Sequence, residues 1–257
     1  MYDLPSYIWI LIGIGVIGIP ATTSLMLYRG ALAAGSSRRI ATWVAAVVAY
    51  ALAVWLIVSG LLAGAGIYHA DSGESTAWFG LAFAGVLGAM LLATRIPIVR
   101  RSLAAPGMLP LLTLPHSLRL VGVAFVLVMA LGDLPWIFAL PAGLGDMAIG
   151  VSAPFVARSL AREDALKRAV RFNVLGIVDL VVALTIGFLA GLGPFGFDIT
   201  PTTEPLALLP LALVPTVAVP TALTLHIVSL GRLREALRDR RMVRTVLSKG
   251  SPVGIAS

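Results

Sequence analysis

"YIWILIGIGVIGIPATTSLMLY", residues 7–28, runs for 22 residues without an Asp, Glu, Lys or Arg. As a helix rising 1.5 Å per residue it spans about 33 Å, enough to cross a hydrocarbon core roughly 30 Å thick. Arg29 follows it immediately. Comparable runs recur along the 257-residue chain, which is 59% hydrophobic and 12% charged, with a mean hydropathy of +0.98. A soluble domain is about 45–50% apolar and about 25% charged, so water cannot be the solvent of this surface. The expected fold is all-α: a polytopic membrane bundle. "MYDLPSYIW" lacks a basic leader region, so the first run is expected to remain as a spanning helix.

Seven spans are predicted, at residues 7–28, 40–67, 77–94, 118–139, 141–158, 171–191 and 205–230. With this count all 19 Lys and Arg residues fall on one side, and the opposite loops carry Asp3, Asp71, Glu74, Asp198 and Glu204. Loops rich in Lys and Arg are cytoplasmic. The N-terminus is therefore expected outside and the C-terminus inside, in a bacterial-type cytoplasmic membrane. Arg95, Arg100, Arg101 and Arg119 bracket the link between the third and fourth spans, Arg119 at the inner end of the fourth. Between them "LAAPGMLPLLTLPHS", residues 103–117, is apolar but short and rich in proline, which fits a surface or re-entrant segment.

The chain divides into a transmembrane domain, 1–230, and a basic tail, 231–257. In the tail, Leu233, Leu237 and Val243 or Val246 recur at near-helical spacing. An amphipathic helix lying on anionic lipid headgroups is expected there. The net charge of +7 is spread between spans, so membrane lipid rather than nucleic acid is the predicted partner, and a small-molecule ligand is compatible with the pattern. The chain has no cysteine, and no motif calls for a metal or other cofactor. "GIGVIG" at Gly13–Gly18 matches a dinucleotide fingerprint but sits inside a span, with Arg38 where an acidic residue belongs. Helix packing through small residues explains it, as it does Gly60/Gly64 and Ala84/Gly88. Retinal proteins need a lysine in the last helix, whereas Lys167 and Lys249 lie in the predicted cytoplasmic segments.

Ionisable residues inside spans are costly and point to function. Asp179 lies eight residues beyond Arg171, roughly 12 Å along its helix and near mid-membrane. Asn173 and Gly176 share its face. His226, with Ser229 one turn on, sits near the inner end of the last span, at the expected level of His116 and Arg119. Pro205, Pro210, Pro215 and Pro220 break that span at five-residue intervals, freeing carbonyls near Thr216, Thr221 and Thr224. Broken helices of this kind recur at transporter sites. Finally, "LGD" occurs twice in residues 131–150. Asp133 is placed at the outer end of the fourth span and Asp146 just inside the fifth, together forming an outward-facing acidic mouth.

These residues suggest a small-solute or ion transporter, coupled to protons. An intramembrane enzyme acting on a lipid or isoprenoid-like substrate is the alternative, with Asp179, Asp146, Asn173 and His226 as acid/base or binding groups. A non-catalytic subunit or sensor is the third reading.

Overall fold

The computed structural model describes residues 4–69, 74–160, 166–192 and 200–249, apart from the side chains of 74–76, 192, 240, 241 and 243–249. Asp3, Asp71, Arg162 and Asp198 lie outside the described residues, as do residues 250–257 at the end of the tail.

The fold is all-helical, with no strand among the described residues. Helices α1 (Ser6–Ala33) and α2 (Arg38–Gly64) form a hairpin, with Ser37 accepting a hydrogen bond from the backbone N–H of Ile40 at 3.4 Å. Next come α3 (Glu74–Ala93) and the short α4 (Pro97–Ala104), bent from it by 78°. Helix α5 (Met108–Thr113) leads through a 3-10 segment (Leu114–Gly122) into α6 (Val123–Ala130). Helices α7 (Trp136–Leu160) and α8 (Leu166–Gly187) follow, α8 ending in a π-turn at Phe188–Leu192. The chain returns through a second π-turn, Val214–Ala218, into α9 (Val219–Lys249).

Six segments are long and apolar enough to cross a membrane, or seven if the bent α3–α4 pair is counted as one span. Their surfaces agree with a lipid solvent. Helix α2 buries only Ala41, Leu52, Ser59 and Ala63 while exposing Trp43, Val47, Tyr50, Ile57 and Leu61. In water such a face would drive aggregation; against acyl chains it costs nothing.

The expected spans shift in two places. Residues 108–117, the larger part of the stretch 103–117, are helical and form the first half of a segment, Met108–Ala130, that is apolar and long enough to cross a membrane. Pro110 falls in the first turn of α5 and Pro115 at the head of the 3-10 segment, where a missing N–H costs little. Arg119 is thereby carried into the bundle. Helix α7 begins at Trp136 rather than Pro141, so Asp146 lies ten residues, about 15 Å, from its start.

Helix α9 runs without a break past residue 230, so the basic tail continues the last span. Leu233 is fully buried, and Ala236 and Leu237 pack with it against Leu109, Leu160 and Leu166. This stretch of the tail's apolar face therefore meets protein rather than headgroups. The small-residue motifs divide as well. Gly15 and Gly18 meet Val121 and Leu118 closely, whereas Gly60 and Gly88 face open space.

Candidate functional site: a buried arginine shared by three helices

The centre of the bundle is polar. Arg119, in the 3-10 segment, is 3% exposed. Its Nε donates to Asp146 Oδ1 of α7 at 2.6 Å, and its Nη2 donates to Asp179 Oδ2 of α8. Nη1 lies 3.2 Å from Nε2 of His226 on α9. One guanidinium thus uses its fork to join three helices, a geometry that lysine cannot reproduce.

The hydrogen-bond directions continue outward from it. Arg119 can only donate, so His226 Nε2 accepts and its proton sits on Nδ1, 2.9 Å from Asn173 Oδ1. Asn173 Nδ2 in turn donates to the Ala169 carbonyl at 2.8 Å. The chain of donors is complete for a neutral imidazole. The ring of His116 stacks on His226 with centroids 3.7 Å apart and 15° between planes, and Phe172 closes the edge of both rings. His116 is 1% exposed, and neither ring nitrogen has a hydrogen-bond partner among the described residues; the Ser229 hydroxyl has none either.

Glycine makes this convergence physically achievable. A Cβ on Gly176 of α8 would overlap the His226 ring, and one on Gly145 of α7 would overlap Asp179 Oδ1. The helices approach until backbone touches charged side chain, which excludes water from most of the cluster.

Asp146 also reaches a chamber of about 390 Å³ between α3, α6, α7, α8 and the π-turn before α9. The chamber is lined almost wholly by apolar side chains, and Asp146 is the one ionisable residue among those described there. An adjoining void of about 30 Å³, which also reaches Asp146, is bordered by Arg119 and α1; it has room for one water.

The structure brings Asp179, Asn173, Asp146 and His226 together, but it does so around Arg119. The sequence sets Arg119 at the inner end of the fourth span, level with His116 and His226, but gives no link from it to Asp146 or Asp179. The outward acidic mouth is not formed. Asp146 joins Asp179 rather than Asp133, because α7 begins five residues earlier than expected. Asp133 sits half-buried in the α6–α7 turn, its side chain unpartnered among the described residues. The two LGD tripeptides accordingly do different things. In the first, Gly132 takes a left-handed φ of 90° and the Asp133 N–H bonds the Val128 carbonyl at 3.1 Å, capping α6. In the second, Gly145 admits Asp179.

Pro210, Pro215 and Pro220 do interrupt the last span, but the freed carbonyls are satisfied within the protein. Pro220 cannot donate to the Thr216 carbonyl, which instead accepts from Trp55 Nε1 at 2.8 Å. The Leu211 carbonyl, missed by Pro215, accepts from the Val214 N–H at 3.0 Å. The Thr216 hydroxyl bonds the Ala212 carbonyl and Ser59 Oγ, each at 2.7 Å, and the Thr221 hydroxyl bonds the Val217 carbonyl at 2.7 Å. These groups hold the kink. Among the described residues no three His, Asp or Glu side chains group so as to hold a metal ion.

A family profile described as Domain of unknown function (DUF8737) matches residues 76–234, more than half of the chain, and the chain belongs to that family. The matched region contains every residue of the cluster. No curated protein and no solved structure matches the chain.

Proposed function

We propose that this member of the DUF8737 family is a multi-pass membrane carrier that moves a small solute coupled to protons. Its N-terminus is outside and its C-terminus inside a bacterial-type cytoplasmic membrane. The observation that carries this reading is the pairing of one buried guanidinium with two carboxylates, one of which, Asp146, edges an apolar chamber. With both carboxylates ionised and both histidines neutral, the cluster bears one net negative charge. Uptake of one proton neutralises it. Carboxylate and histidine chains within spans are a recurrent means of relaying protons. Because Arg119, Asp146, Asp179 and His226 come from four separate segments, a change in protonation alters how those segments hold together. That is the coupling a carrier needs.

Protein in liposomes on a solid support, given a step in external pH, should return a brief, saturable charge movement. Asp146→Asn and Asp179→Asn should abolish it. A parent signal no larger than that of these variants or of protein-free liposomes sinks the reading.

The apolar lining of the chamber also favours a second reading, an intramembrane enzyme with Asp146 as its acid or base. It requires a chemically altered lipid in cells overproducing the protein, and an unchanged lipid profile counts against it.

A further inference from the structure

We propose that the chamber beside Asp146 takes an organic cation with an apolar body, bound in exchange for a proton on the Asp146–Asp179 pair. The proposal rests on the carrier reading above and names its substrate class.

The lining selects this chemistry. Five of the chain's nine phenylalanines, Phe79, Phe83, Phe125, Phe138 and Phe188, face the chamber, brought there from α3, α6, α7 and the π-turn after α8. An aromatic face attracts a cation lying within about 6 Å of the ring centroid, and the attraction grows where water is excluded. Apolar walls alone would suit any hydrocarbon. What distinguishes this chamber is the carboxylate at its edge combined with the position of the arginine. Arg119 is absent from the chamber's lining; it borders the small adjoining void, which shares Asp146 with the chamber. A ligand therefore meets the carboxylate first. An anionic group would meet Asp146 before Arg119, whose Nε is already committed to Asp146 Oδ1 and whose Nη2 is committed to Asp179. Because Arg119 is shared with Asp179, a neutral hydrocarbon would leave the second negative charge of the pair uncompensated.

The charge count points the same way. Arg119 of the 3-10 segment pairs with Asp146 and with Asp179 of α8, His226 of α9 meets Arg119, and His116 stacks on His226; α1 contributes only apolar residues at the adjoining void. One fixed positive charge stands against two carboxylates. When a cation enters, the carboxylate pair gives up one proton, and the summed charge of ligand and cluster stays constant. When the proton returns, the cation loses its counter-charge and leaves. No bond other than O–H is made or broken. A volume of about 390 Å³ admits a body the size of a few aromatic rings.

The test uses the full-length protein in detergent micelles with two probes of equal size and opposite charge, tetraphenylphosphonium and tetraphenylborate. The phosphonium should bind saturably above empty micelles, weaken about tenfold per pH unit on the acid side, and release close to one proton per cation into a weakly buffered dye solution. Tetraphenylborate should not bind above empty micelles. Asp146→Asn should abolish phosphonium binding. Because that change also frees Arg119, Phe83→Leu serves as the second variant; it leaves the cluster intact and should weaken binding at least threefold. Absence of saturable phosphonium binding, equal binding of the borate, or affinity independent of pH each overturns the proposal. The charge movement after a pH step is measured with no organic cation present. Its persistence without phosphonium binding would remove this substrate class and leave the carrier reading standing. Phosphonium binding without charge movement would do the reverse.

Discussion

Arg119→Leu offers the most direct test of the architecture. The change leaves a side chain of moderate size at a site 3% exposed, while Asp146 and Asp179 lose their shared cation. Removing one member of a buried ion pair costs about 3–5 kcal/mol, mainly because the remaining charge is left uncompensated. For a chain of this length each kcal/mol corresponds to about 2–4 °C in Tm, so the loss should be on the order of 10 °C. The companion variant Arg119→Leu/Asp146→Asn/Asp179→Asn removes every formal charge from the triad. Replacing a whole buried ionic group by neutral residues of similar volume is often close to neutral in stability. The triple variant should therefore recover at least half of the lost Tm. Both would be followed by tryptophan fluorescence during heating in one detergent. A single variant melting within about 2 °C of the parent, or a triple variant no better than the single, refutes the assignment of Arg119 as the electrostatic hub.

Gly176→Ala should destabilise by about 1–3 kcal/mol, because its methyl group meets the buried His226 ring. Gly60→Ala, with open space at its Cβ, should be neutral or gain up to about 1 kcal/mol of helix propensity, and melting curves of the pair check both. Trp55→Phe strips the Thr216 carbonyl of its donor and should cost about 1–3 kcal/mol; adding Pro220→Ala restores a backbone N–H and should return part of that in the same denaturation assay. Asp133→Asn should stay within about 0.5 kcal/mol of the parent and leave the pH-step signal unchanged, since Asp133 stands apart from the cluster.

Much of the bundle could be read from the chain, because apolar run length dictates membrane crossing with few competing terms. Asp179, Asn173 and His226 were legible for the same reason: each stands out against a span that has no other use for it. Arg119 was not. An arginine flanked by three prolines and a basic link looks like a loop charge, and hydropathy cannot tell it from one that is swallowed by a helical segment. The signal that could have found it is arithmetic. Two aspartates at depth require a cation, and the span beginning near residue 118 offered Arg119 alone. The proline-rich stretch misled for a local reason as well. Pro110 and Pro115 discourage a helix in isolation, yet each occupies a position where its missing N–H is not needed. His116 and its stacking on His226 depend on how three segments meet, and nothing in one dimension encodes that. At residue 230 the composition changes while the helical geometry of α9 does not.

The glycines at the cluster carry one last consequence. At Gly145 and Gly176 the backbone of one helix is the wall against which a neighbour's charged or polar group rests. Such a contact has no compressible layer of side chains to absorb displacement. If α8 slides or rotates against α7 or α9, Asp179 and His226 must shift with it, and the fork of Arg119 loses register at once. Helix spacing and the ion pairs of Arg119 are then a single mechanical coordinate, so that reading one reports the other. A pair of spectroscopic labels on the outer faces of α7 and α8 becomes, in effect, a gauge of the pairing at the centre.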